Sequence, residues 1–304
     1  MLDGPLPVAV VCHDAGAANL LIAELTHSPA APDWVLPVME GPARRLWEAA
    51  GAPFGPPQPL DAALARAQAV VSGTGWASNF EHQARVQARE RGLPSAAVID
   101  HWVNYVERFE HDGSTVLPDE IWVYDADAKR IANAQFPGLP VRLRTNHFLA
   151  DQVEAILTAP GPQAGRLLVL LEPIRYTWSH LAQPGEFEAL DFLAAYIHLL
   201  QPGLRMHLRP HPSDPPGKYD AWIAAQTSAV LDASSSLAHA IAAAEWVAGC
   251  ETAALPVALA AGRRVVATLP PGAPPCRLPQ SGLLHLRDLP GASWPAAGLH
   301  PPAS

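Results

Sequence analysis

The chain is short of the features that would place it quickly, and each shortage excludes something. It has three cysteines, Cys12, Cys250 and Cys276, far apart and odd in number. That argues against a disulfide framework and fits a reducing, cytoplasmic setting. Basic residues are outnumbered, 20 Lys and Arg against 29 Asp and Glu, for a net charge of −9. General nucleic-acid binding needs a basic footprint, so no nucleic-acid partner is expected, although a local basic pocket is compatible with the balance. No apolar run reaches the ~18–20 residues that cross a bilayer. The N-terminus lacks the basic region and apolar core of a signal peptide. A peripheral membrane contact is left open. No G-x-G-x-x-G fingerprint is present, so dinucleotide binding has weak support.

What is present is a globular composition: 304 residues, 49% apolar and 16% charged, enough for two ordinary domains. One stretch stands out, Arg205-Met206-His207-Leu208-Arg209-Pro210-His211-Pro212-Ser213-Asp214. It begins as an alternating strand and stops at two prolines, which cannot donate to a sheet ladder. Arg209 and His211 are thereby delivered to the strand's C-terminal rim, where open parallel sheets bind ligands. A guanidinium fork beside an imidazole donor suits a phosphate-bearing ligand; the plain alternative is an exposed basic loop. His207 and His211 read as one strand face. With Arg209 on that face and no carboxylate or thiolate near, they make a poor zinc pair.

In chain order, 7–12 reads as a buried strand, followed by His13-Asp14-Ala15-Gly16 and a helix to residue 25. His13 and Asp14 sit where catalytic groups are commonly placed, though Asp is also an ordinary helix cap. Strands follow at 34–39, 69–72, 95–99, 120–124 and 141–144, and helices at 41–50, 60–67, 81–91, 125–136 and 149–157. The turn Gly73-Thr74-Gly75-Trp76-Ala77-Ser78-Asn79 lets backbone approach a ligand or another loop. Asp100-His101-Trp102-Val103-Asn104-Tyr105 is the densest polar and aromatic cluster of this half. It reads either as a recognition surface or as core rings beside a satisfied Asp-His pair. Residues 159–165 carry no pattern and read as a linker.

The alternation then restarts. Strands are expected at 166–171, 205–209, 230–231, 246–249 and 264–269, with helices at 186–200, 219–226 and 237–244 and another after Thr252. An apolar stretch at 283–286 is read as crossing back over the first domain. Two such runs imply an α/β protein with two Rossmann-like domains facing a cleft: 1–158, 165–290, and a tail 291–304. Strand-end loops of the second run collect Glu172, Arg209, His211, Ser234, Ser235, Ser236, Glu251 and Thr252. Helix starts at the serines and at Glu251-Thr252 would favour phosphate, with Glu251 better suited to a ribose hydroxyl; plain capping is the alternative.

The His211-Pro212 pair, the Ser234-Ser235-Ser236 run, and Glu251-Thr252 before an Ala-rich helix and residues 264–267 resemble the C-terminal half of GT-B glycosyltransferases. The likeness is to bacterial sialyltransferase and polysialyltransferase-like enzymes, over about a third of the chain. The resemblance implies that His211 and the serines bind the nucleotide phosphate of a nucleotide-sugar donor. It implies that Asp14, in an acidic-Gly motif, is the general base, although this sequence has one acidic residue where that pattern often has two. His13, Asp100, His101, Trp102 and Tyr105 would lie on the side of a glycan or small-molecule acceptor. No clear Asp-x-Asp metal motif is read, which agrees with a metal-independent mechanism, no cofactor beyond the nucleotide-sugar co-substrate, and Arg, His and helix dipoles neutralising the leaving phosphate. The competing classes are a nucleotide-sugar epimerase or hydrolase, and a non-catalytic nucleotide-binding module.

Overall fold

The computed structural model describes residues 6–28, 34–51, 54–75, 78–178 and 183–292. Trp76 and Ala77 of the glycine turn and residues 293–304 of the expected tail lie outside them. The chain divides into two compact units, 1–150 and 151–304.

In the first unit the order is β1 (Val8–Cys12), α1 (Ala15–His27), β2 (Val35–Met39), α2 (Gly41–Ala49), α3 (Leu60–Leu64), β3 (Ala69–Ser72), α4 (Phe80–Glu90) and β4 (Ser95–Val98). A short antiparallel hairpin follows, β5 (Glu110–His111) and β6 (Ser114–Thr115), then β7 (Glu120–Val123), α5 (Ala126–Gln135) and β8 (Val141–Leu143); α6 (His147–Thr158) begins in this unit and ends in the second. Six strands form one parallel sheet in the order β2-β1-β3-β4-β7-β8. Both faces are covered, which is why β1 reads as a continuous apolar run. Val8, Val10 and Cys12 pack with α1, while Ala9 and Val11 pack with Ala63, Leu64, Ala84 and Ala88. Pro37 is tolerated within β2 because β2 is an edge strand, where a missing amide donor breaks no ladder.

The second unit runs β9 (Arg166–Leu170), α7 (Gly185–Tyr196), β10 (Arg205–Arg209), α8 (Asp220–Ala224), β11 (Ala229–Leu231), α9 (Leu237–Ala243), β12 (Trp246–Gly249), α10 (Ala254–Ala260), β13 (Arg264–Ala267) and β14 (Leu283–His285). Its sheet is also parallel and six-stranded, β11-β10-β9-β12-β13-β14. Leu167 and Val169 of β9 meet Phe192, Leu193 and Tyr219 in its main core. The stretch expected to return over the first domain is instead β14. It pairs in register with β13, Leu283 opposite Val265, and completes the second sheet.

Each sheet has one place where strands that follow each other in sequence depart to opposite sides. In the first it lies between β1 and β3; in the second, between β9 and β12. Loops leaving the C-terminal ends of such strand pairs bound a natural crevice, and open α/β sheets bind ligands there.

Candidate functional site

In the first unit, the loop after β1 carries His13 and Asp14, and the loop after β3 carries Gly73, Thr74 and Gly75. Asp14 occupies the N-cap position of α1, yet its side chain makes no capping bond. It meets His13 instead, with Oδ1 2.7 Å from Nδ1, and about a quarter of its side chain is exposed. The His13 ring is fixed on its other side, because a Cβ on Gly41 would stand 2.6 Å from Nε2. His13 therefore orients Asp14 and is itself largely enclosed. Of the two readings open in the sequence, capping finds no bond here: the carboxylate is not spent on the helix.

Glycines let the carboxylates approach. A Cβ on Gly75 would meet Asp14 Oδ2 at 2.0 Å, and one on Gly16 would meet Asp100 Oδ2 at 1.6 Å. Asp100 accepts from Arg108 Nη1 at 2.7 Å, and the same nitrogen reaches the carbonyl and hydroxyl of Thr74 at 3.3 Å. Behind this rim lies Glu81 of α4, only 1% exposed. Burial raises its pKa, opposed by the His13 and Gly75 amides that donate to it. Burial also pushes the Cys12 thiol well up, with Glu81, Asp100 and Asp14 adding to the effect. Cys12 is therefore no thiolate nucleophile.

The other residues of the expected acceptor group behave differently. Tyr105 is 3% exposed within a cluster with Phe109, Ile121 and Phe136, and its hydroxyl reaches the Ala128 carbonyl at 3.4 Å. Burial pushes its pKa far up. Tyr105 is thus a core ring and offers no face for stacking a ligand. Trp102 is half-buried against that cluster and donates from Nε1 to Asp125 Oδ2 at 2.8 Å. His101 is also half-buried, edge-on to Trp102 with ring centroids 5.4 Å apart. The chain does contain an Asp-x-Asp string, Asp125-Ala126-Asp127, which the sequence reading passed over. Asp125 Oδ1 caps α5 by accepting from the Ala128 amide, and Asp127 pairs with Arg130.

In the second unit, His211 lies beyond the end of β10, so it does not share a strand face with His207 as the sequence suggested. Its Nδ1 is 3.2 Å from the Ser213 amide nitrogen, which donates to it, and 2.8 Å from the Ser213 hydroxyl. With Nδ1 accepting from an amide, the neutral imidazole carries its proton on Nε2. The loop is pinned by Asp214, which accepts from the His211 amide, Lys218 and the Tyr219 hydroxyl. Burial alone would raise the Asp214 pKa, but the bonds from Lys218 and Tyr219 hold it below the usual carboxylate range.

Arg209 is already engaged. Its Nη1 lies 2.7 Å from Asp232 Oδ2 and 3.1 Å from the Ser234 carbonyl. Arg166 binds the other Asp232 oxygen at 2.8 Å, and the Ser234 hydroxyl donates to it as well. Arg209, read from the sequence as suited to a phosphate-bearing ligand, is consequently a partly neutralised cation. Ser236 caps α9 through the His239 amide, and Ser235 is exposed. At the β9–β12 crevice, Glu172 accepts from the amides of Cys250 at 2.7 Å and Glu251 at 2.9 Å. Burial pushes its pKa up to about 7 against those donors. A carboxylate of the chain itself thus fills this nest of amides. Glu251 is held by Arg277, with Oε2 2.8 Å from Nη2, and the Thr252 hydroxyl accepts from the Ala254 amide.

No family model matches the chain, and no curated protein matches it in sequence. Solved structures do. S. aureus MnaA in a co-structure with UDP aligns over 86% of this chain and 79% of that one, with a TM-score of 0.57 and 9% identity. UDP-GlcNAc 2-epimerase from Neisseria meningitidis, bound to UDP-GlcNAc, aligns over 86% and 81%, at 0.53 and 12%. The glycotransferase of kitacinnamycin aligns over 90% and 82%, at 0.53 and 15%.

The fold is GT-B-like.

Within this GT-B-like frame, His13, Asp14 and Asp100 come together around Gly16 and Gly75, whereas Tyr105 does not join them. Arg209 and Ser234 converge on Asp232, while Glu172 and Glu251 meet at the second crevice. Sequence reasoning missed Glu81, Arg108 and Asp232. Glu81 and Arg108 lie in charged surroundings that read as solvated surface. Asp232 could have been found, since it directly precedes the serines and follows a strand.

Proposed function

We propose that the chain is a metal-independent, nucleotide-sugar-dependent glycosyltransferase acting on a glycan or small-molecule acceptor. The carrying observation is the contact of Asp14 with His13 at 2.7 Å on a partly exposed rim, with the carboxylate free of its helix. Asp14 takes the proton of an acceptor hydroxyl as the acceptor oxygen attacks the anomeric carbon. The bond from that carbon to the nucleotide phosphate breaks, and its electron pair leaves with the phosphate. His211 donates from Nε2 to that phosphate oxygen and stabilises the growing charge, the role of a preorganised donor. The Asp214 anchor limits the entropy lost in holding His211. Arg209, with its charge already shared by Asp232, holds Ser234 in place beside it. The sialyltransferase-like motifs supply the finer family reading.

A second reading, a nucleotide-sugar epimerase or hydrolase, is supported by the fold shared with the N. meningitidis UDP-GlcNAc 2-epimerase and by the carboxylates Glu81 and Asp100 near Asp14. The test has two steps. A thermal-shift screen against nucleoside mono- and diphosphates identifies the base, because a ligand bound to the folded state alone raises its stability. Product analysis with the matching nucleotide-sugar, with and without acceptor, then decides. A glycosylated acceptor supports transfer. Free or epimerised sugar independent of acceptor overturns it, and nucleotide binding with no turnover leaves a binding module.

A further inference from the structure

Glu81 takes no proton in the transfer just described, yet among the described residues it is the most buried acid of the first unit. It lies in the first turn of α4 and is 1% exposed. Oε1 accepts the His13 amide at 2.9 Å, and Oε2 accepts the Gly75 amide at 2.5 Å. One carboxylate therefore ties the loop after β1 to the loop after β3, across the point where the sheet order switches. Both tied residues touch Asp14: His13 through its ring, and Gly75 through its bare Cα. Even the approach of Glu81 depends on glycine, since a Cβ on Gly73 would stand 2.2 Å from Oε1.

Stability alone is a poor reason for this arrangement. Taking a carboxylate out of water costs several kcal/mol, and a buried charge commonly contributes less than an apolar residue in its place. The nearest cation on the same helix, Arg85, is spent on the Ser72 hydroxyl at 3.1 Å and the Gly73 carbonyl at 2.9 Å. What Glu81 provides is geometry, because two amides from different loops must be at fixed positions to share one carboxylate.

We infer that Glu81 is the positioning residue for Asp14, acting through the backbone of His13 and Gly75. This rests on Asp14 being the base, so the experiment separates the two claims. Glu81→Gln keeps size and one acceptor oxygen, but turns an NH2 towards the second amide and frees one loop. Turnover falls by about 10–100-fold, as expected for a base displaced by a fraction of an ångström to an ångström. The KM for the nucleotide-sugar stays within about twofold, and exchange of the His13 or Gly75 amide, read by NMR, accelerates by about tenfold or more. Gly73→Ala, which pushes the carboxylate away without removing it, has the same signature and serves if Glu81→Gln fails to fold. The control is Asp119→Asn at the N-terminal ends of β4 and β7, away from the rim, where Asp119 accepts the Ser95 amide at 2.7 Å. It lowers the melting temperature and leaves kcat unchanged. Amides still protected in both rim variants, or kcat falling no further than in the control at equal loss of stability, overturn the inference. If Asp14→Asn retains turnover, the general-base reading fails, and the clamp on the two loops is judged by the amides alone.

Discussion

Nδ1 of His211 accepts the amide of Ser213 at 3.2 Å, two residues on, and this sets which ring nitrogen carries the proton. His211 is exposed and contributes little to the core. His211→Ala is expected to lower turnover by about 10²–10³-fold, the usual loss for one preorganised donor. The melting temperature should move by no more than a degree or two. His207→Ala, on the strand, is the internal control with a smaller effect on turnover. Steady-state kinetics beside a thermal melt check the pair, and near-normal turnover and nucleotide affinity in His211→Ala would remove the donor-side assignment.

Gly75 and Asp14 make a sharper case. A methyl group at position 75 would stand 2.0 Å from Asp14 Oδ2, closer than any real contact allows. Gly75→Ala should displace the carboxylate and lower kcat by about 10²-fold, the scale for misplacing a reacting group by an ångström. Gly51→Ala meets nothing within 4 Å and is a control for the effect of adding a methyl, although its φ of +56 carries a backbone cost of its own. Equal kcat in Gly75→Ala and wild type would place Asp14 outside the chemistry.

Glu172 links the second crevice to pH. Its pKa is about 7 in the folded protein, against an ordinary value near ~4.3 in the unfolded chain. The folded state therefore holds the proton more tightly between these values. Its contribution favours folding most at low pH and declines as pH rises from about 4 to about 7. Glu172→Gln removes this dependence. Across pH 5, 6, 7 and 8 the urea midpoint of the wild type should fall relative to that of Glu172→Gln, with the difference levelling off above about 7.5. Parallel curves would show that Glu172 does not titrate in this range.

Trp102 packs partly against the Phe109 and Tyr105 cluster and donates to Asp125, the cap of α5. Trp102→Ala should cost about 2–4 kcal/mol, near the low end for truncating a buried Trp. Trp102→Phe should recover much of that, since it loses chiefly the Nε1 bond. Urea denaturation measures both. A loss under about 0.5 kcal/mol for the alanine variant, as for ordinary surface sites, with acceptor use impaired and donor binding intact, would restore the ring to the acceptor surface.

The alternation of strands and helices was legible because the central strands are buried on both faces. Val8–Cys12 and Arg166–Leu170 are nearly all apolar. The β5–β6 hairpin was not legible, having two polar, mostly exposed residues per strand and no hydrophobic period. Leu283–His285 was misplaced because its partner is reached through a proline-rich connection that carries no directional signal. At the rim, sequence located His13, Asp14 and His211 from strand ends. It could not tell a capping aspartate from a free one, because both stand at the same position. Glu81 escaped because helical periodicity assigns charge to the solvent side, while the buried face of α4 includes Glu81, His82 and Arg85.

The connection into β14 also bears on the order in which the chain is made. Arg287, just past that strand, donates to the carbonyls of Leu269, Pro270 and Ala273, gathering the proline-rich segment around one guanidinium. Neither the fastener nor the last strand exists until residue 287 has left the ribosome. Until then β13 is an open edge, its amides and carbonyls available to any passing strand. In the folded protein β14 covers that edge, and chains truncated before residue 283 should be more prone to aggregate than chains that extend past residue 290.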